Sequence, residues 1–380
     1  MKRIFTFFSL LIYLSVSAQV DVLSKDEILR QADRTINNYQ FEKALVMLDQ
    51  SSDSLSADLL QRKGYCYSRL GNYQEAINAY EKIVSMDSTN TNAYNQLGQL
   101  YSRTGQFVSA AELYKNLIAA DSTNSFYYKQ YASLMSQTGD FVSSVAYYLK
   151  TIELNSRDVE AYTGLANLLL DSDQYDAADS ILSQALTVIQ HPQLKLLLAK
   201  AQLGEKKYQH VIDNINGMLL QSDTTVTMAR LLGISYFQLS KYNEVVNCMN
   251  YLLSAGAEGD WIYYYMGASY DQLKKFDEAI FFIQKAIDVG ISDNIDTYYT
   301  QLAISYENTN DFKKAIHYYK AAYETSKSDI LLYHLARNYD HLYKDKSSAL
   351  AFYKRYLNSD DTIKLTREYS QQRVEQLTDF

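Results

Sequence analysis

Apolar residues recur along this chain in paired helical stripes. In a frame of thirty-four residues they fall at positions 4, 7, 8 and 11, and again at 17, 20, 24 and 27. Each set has the 3.6-residue spacing of one buried helix face, so every unit is expected to be two helices, A and B. The frame is plainest in GYCYSRLGNYQEAINAYEKIVSMDSTN from Gly64 and GQLYSRTGQFVSAAELYKNLIAADSTN from Gly98, which start thirty-four residues apart. Extended both ways, it gives ten units beginning near Lys25, Ala57, Thr91, Ser125, Val159, Pro192, Val226, Asp260, Asp296 and Asp329.

Three positions carry the packing logic. Position 8 is small throughout, from Ala32 and Gly64 to Ala303 and Ala336. Position 17 is Phe or Tyr in every unit but the tenth, and position 20 is Ala or Ser except at Val211 and Val245. Small residues at 8 and 20 let two helix axes approach closely, and the aromatic at 17 covers the junction. Gly71, Gly105 and Gly139 at position 15, with Asn310 in the same place, suit the left-handed turn that ends helix A. Asn90, Asn124 and Asp158 are placed to cap the next helix. Since neither helix buries its stripe alone, successive units are expected to stack.

On these residues the chain resembles the tetratricopeptide repeat family over about residues 25–361. The family tryptophan at position 4 and the proline near 32 are replaced, so the link between units is expected to be less rigidly preset. The resemblance implies an all-α fold, a right-handed superhelical solenoid of about ten helix-turn-helix repeats. Residues 362–380 read as a C-terminal capping helix with Ile363, Leu365, Tyr369, Val374 and Leu377 among charges.

The family presents a groove lined by helix-A positions 2, 5, 9, 12 and 13. Carried over, this gives Asn92, Asn95, Gln99 and Arg103 in the third unit, with Gln61, Arg69 and Lys129 beside them. Amides carry both donor and acceptor, so such a row suits an extended peptide backbone, or else is an ordinary hydrated face. In units seven to ten the same positions hold Ile234, Phe237, Trp261, Tyr264, Ile304 and Tyr333, with Arg230 and Arg337 at their margin. Large apolar groups there either meet a partner or pack between neighbouring helices. The family's carboxylate clamp is not reproduced: Lys129 holds position 5, but Ser133 holds position 9.

The termini and composition refine this picture. Residues 1–18 have a basic start at Lys2 and Arg3, an uncharged apolar run and the small-x-small pattern of Val16 and Ala18. They read as a cleaved secretory signal, followed by a linker at 19–24 and leading to a periplasmic or secreted protein. The alternative, an uncleaved anchor, has fifteen uncharged residues from Ile4 to Ala18 against the ~20 of a spanning helix. No later stretch approaches membrane length without charge. The net charge of −8, or −10 once Lys2 and Arg3 leave, argues against nucleic acid or anionic membrane as the partner.

Chemistry is sparse. Cys66 and Cys248 stand five units apart, too far to bridge in a stacked array, and are expected to be separate buried thiols. His334 and His341 lie seven apart near Asp340 without an evident third ligand, so no metal is expected. There is no Gly-rich phosphate loop, HExxH or CxxC, and no cofactor is expected. The 36 tyrosines suit the half-buried sites of a thin two-layer array, where an apolar ring and a wet hydroxyl both fit. Together these features point to an exported, non-catalytic scaffold that binds a protein or peptide segment, with a glycan-binding or sensor-accessory role as the alternative. Self-association is left open by the sequence.

Overall fold

The computed structural model describes residues 24–51, 55–219, 225–290, 293–359 and 363–378. The signal sequence expected at 1–18 lies outside the described residues. Regular structure among the described residues is entirely α-helical. The chain divides into two bodies, up to Asn155 and from Ser156.

The N-terminal body holds four helix pairs: α1 (Lys25–Asn37) and α2 (Phe41–Leu48), α3 (Ala57–Leu70) and α4 (Tyr73–Met86), α5 (Thr91–Arg103) and α6 (Phe107–Ala120), α7 (Ser125–Gln137) and α8 (Phe141–Leu154). The C-terminal body continues with α9 (Val159–Asp171) and α10 (Tyr175–Leu186), α11 (Pro192–Gly204) and α12 (Tyr208–Leu219), α13 (Val226–Gln238) and α14 (Tyr242–Ser254). It ends with α15 (Asp260–Gln272) and α16 (Phe276–Val289), α17 (Ile295–Asn308) and α18 (Phe312–Ser326), α19 (Ile330–Leu342) and α20 (Ser347–Leu357), then α21 (Lys364–Thr378). All nine position-17 aromatics open a B helix.

Small residues at position 8 accommodate the side chain at position 24 of the same unit. A β-carbon on Gly64 would lie 2.7 Å from the Tyr80 ring, on Gly98 2.8 Å from Tyr114, and on Gly267 2.6 Å from Ile283. The B helix therefore nests where helix A has no side chain. Where serine replaces alanine at position 20, Ser144 is buried and its hydroxyl donates to the Ala132 carbonyl at 2.9 Å, satisfying it across the same junction. Leu60, Tyr80, Leu97, Tyr114 and Tyr127 join one cluster through three successive repeats of the N-terminal body.

Position 15 is left-handed in nine units, whatever its residue. Gly71, Gly105, Gly139 and Asn310 behave as their chemistry predicts. Tyr39, Asp173, Lys206, Ser240 and Lys274 adopt the same region at φ 59°, 56°, 61°, 58° and 60°. Docking of helix B onto helix A imposes this turn, and the strain of a side chain there is borne by the packed pair.

The turn between repeats is built without the missing proline. In the two DSTN segments, Asp87 accepts from the Thr89 amide and hydroxyl at 2.9 and 2.7 Å, and Asp121 from those of Thr123 at 3.0 and 2.8 Å. These bonds to the charged form hold both carboxyls below the usual carboxylate range. Asn90 then caps α5 through the Ala93 amide, and Asn124 caps α7 through that of Phe126, at 3.0 and 3.1 Å. An Asx turn thus presets the link that proline presets elsewhere.

Many tyrosines are structural, among them the buried Tyr127, Tyr128, Tyr148, Tyr298 and Tyr319. Burial raises both free thiols, Cys66 and Cys248, to about 11, which keeps them protonated and unreactive near neutrality. No helix among the described residues is long and apolar enough to cross a membrane.

Candidate functional site

Helix-A residues of the first three repeats, with Tyr80 of α4, line an open hollow of about 430 Å³ in the N-terminal body. The exposed Tyr65 and the buried Tyr80 line it, and Gln61, Asn92 and Gln96 supply amides. Across it, Arg62 donates from Nε and Nη2 to the two Asp33 carboxylate oxygens, at 2.7 and 2.9 Å. Its Nη1 donates to the Asp58 carbonyl at 3.1 Å. Hydrogen bonding to Asp33 is the main cause raising the Arg62 guanidinium above its ordinary value.

Of the residues expected in the third unit, Asn92 lines this hollow and Gln99 is exposed. Asn95 is half-buried, with its Oδ1 enclosed and lacking a protein donor. Arg103 lies with its guanidinium carbon 5.6 Å from the Tyr73 ring centroid, and Arg69 sits likewise 5.8 Å from Phe41. Position 13 thus covers the position-17 aromatic of the preceding repeat. The relation recurs where His341 stacks on Phe312 at 5.1 Å and where Gly204 admits the Tyr175 ring. Lys129 is half-buried, its ammonium 5.9 Å from the Phe126 ring centroid.

In the C-terminal body Arg230 stands 5.1 Å over the Trp261 ring. Trp261 meets Tyr265 edge-on at 6.3 Å, and Phe237 meets the same tyrosine at 5.0 Å. Tyr264 stacks on Tyr298 at 5.1 Å. Phe237, Trp261, Tyr264, Ile234 and Ile304 are all half-buried, so inter-helix packing accounts for much of this apolar row. Burial raises the Tyr264 and Tyr265 hydroxyls above their ordinary value. Tyr333 is buried against Tyr356 and Tyr369 at the C-terminal end.

Position 12 in the last three repeats is acidic, and each acid is met by the next A helix. Asp271 is buried and accepts from Ser305 Oγ at 3.0 Å and Asn308 Nδ2 at 3.2 Å. Glu307 pairs with Arg337 at 3.3 Å and accepts from the Tyr319 hydroxyl at 2.8 Å. Asp340 is gripped by Arg373 of α21 at 2.6 and 3.1 Å and by Lys346 at 3.2 Å. The last helix therefore docks as an eleventh A helix would. His334, which stacks on Tyr319 at 5.1 Å, is held below its ordinary value by burial. No group of three metal-ligating side chains occurs among the described residues.

The hollow was only partly foreseeable. Asp58, Asp33 and Tyr65 hold positions 2, 9 and 9, so extending the groove register into the first two units would have found them. Arg62 and Gln96 hold position 6, outside that register, and only helix stacking brings them to the surface of the hollow.

Family comparison agrees with this architecture. Residues 67–138, 147–179, 262–289 and 296–329 match family models described as tetratricopeptide repeat. The chain is a tetratricopeptide repeat protein. Among solved structures it is similar to a tetratricopeptide repeat protein from Parabacteroides merdae ATCC 43184, at 17% identity and TM-score 0.45, over 66% of this chain and 98% of that one. MamA from Desulfovibrio magneticus RS-1 matches at 16% identity and TM-score 0.40, over 44% and 96%. PilF of Pseudomonas aeruginosa matches at 15% and 0.43, over 54% and 95%. No curated protein matches the chain. A repeat fold of this family supports a protein–protein interaction scaffold.

Proposed function

We propose that this chain is an exported, non-catalytic scaffold that holds a protein or peptide segment against its helix-A faces in support of an envelope complex. The observation that carries the reading is the hollow over the first three repeats, where the Gln61, Asn92 and Gln96 amides border a space large enough for a partner's side chain. Amides on a rigid helical frame satisfy an extended backbone's donors and acceptors at little ordering cost. Export rests on the basic, apolar and small-residue succession of 1–18 and places the mature start at Gln19. The exposed Gln99 and Arg230 extend the docking surface, each within its own body.

Site-specific photo-crosslinking in the producing cells tests the reading. A crosslinker at Gln61 or Arg230 is expected to capture one discrete protein, while one at the exposed Val142 or Phe281 of the B helices captures none. Equal capture from A and B positions, or none from either, overturns it. N-terminal sequencing of the mature chain tests export, and an intact Met1 overturns that part.

A further inference from the structure

We propose that the hollow accepts a cationic side chain, lysine or arginine, from the segment the scaffold holds. This rests on the groove reading above and adds the chemistry of the partner. Arg62 is the one cation lining the hollow among the described residues; three of its five N–H donors go to Asp33 and to the Asp58 carbonyl, and its charge is already met by the Asp33 carboxylate. An incoming carboxylate or phosphate would meet a guanidinium already neutralised by Asp33 and the like charge of Asp58, so an anionic occupant is disfavoured.

A cation meets the opposite situation. The Asp58 carboxylate is exposed and has no hydrogen-bond or ion-pair partner among the described residues, only through-space attraction to Arg62. Each Asp33 oxygen accepts a single bond from Arg62 and retains capacity for another donor. Two carboxylates against one guanidinium leave the hollow one negative charge in excess. The exposed Tyr65 ring offers an apolar wall to an alkyl stem and ring surface to the charge at its end. The amides of Gln61, Asn92 and Gln96 border the same space and hold the backbone that carries the cation.

Panning a display library of random extended heptapeptides against the immobilised chain tests this. Enrichment of Lys or Arg at one peptide position is expected, falling about tenfold on Asp58→Asn and unchanged on Glu112→Gln, an exposed carboxylate on a B helix. The second variant separates the hollow from general attraction of basic peptides to an acidic chain. Enriched peptides that lack a basic residue yet are lost on Gln61→Ala and Asn92→Ala would overturn the cation and leave the groove standing. Basic enrichment indifferent to Asp58→Asn also overturns it. Binding indifferent to every hollow variant overturns both readings.

Discussion

Arg373 forks onto the buried carboxylate of Asp340, thirty-three residues earlier, through hydrogen bonds of 2.6 and 3.1 Å. This contact fastens the last helix to α19, with Val374 and Leu377 packing beside it. Arg373→Met leaves Asp340 with Lys346 alone, and the expected cost is about 2 kcal/mol of C-terminal stability. Hydrogen exchange checks it, with the amides of α21 losing protection before those of α15 and α16.

Acid should act on the same contact. Burial pushes the Asp340 carboxyl up, but the bonds from Arg373 and Lys346 outweigh it and hold the group below the usual carboxylate range. A depressed carboxyl contributes stability that is complete above its unfolded value of about 3.9 and is lost as pH falls through the folded value. Denaturant titrations are therefore expected to show an acid limb below about pH 4, which Asp340→Asn flattens.

A second limb should come from His334. Burial lowers its folded value, so the unfolded chain binds the proton first as pH drops below about 6.5. Stability contributed by the neutral ring is full above that pH and declines below it until the folded value is reached. His334→Phe keeps a ring stacked on Tyr319 and is expected to remove this limb in thermal melts across that window.

Lys274 occupies the left-handed region at φ 60° in an exposed turn. Replacing it by glycine relieves the steric cost while adding chain entropy to the unfolded state. The expected net gain is about 0.5–1 kcal/mol, and Gly105→Ala at the equivalent turn should lose a similar amount. Urea midpoints measured at constant slope check both.

Gly98→Ala drives a methyl into the Tyr114 ring, since its β-carbon would lie 2.8 Å from Tyr114 Cζ. Overpacking of this kind costs about 1–3 kcal/mol, beyond what alanine returns in helix propensity. The fifth repeat joins Ala166 and the buried Leu182 at the same two positions. Tyr114→Leu added to Gly98→Ala is therefore expected to recover most of the loss, measured as a double-mutant cycle.

Local rules made the period, the helix pairs and several caps legible in the sequence. Apolar spacing, small residues at position 8 and aromatics at 17 act within one unit and repeat, so a single chain states them nine or ten times over. Asn90 and Asn124 cap as their side-chain chemistry dictates. Tertiary structure alone decided the rest. Tyr39 and Lys206 adopt a left-handed turn that neither favours, because the docked helix pair demands it. Arg103 turns to a ring in the preceding repeat, and Arg62 finds Asp33 twenty-nine residues away. Such pairings depend on how one repeat settles upon the next, and that geometry is a sum over many weak contacts which no single position records.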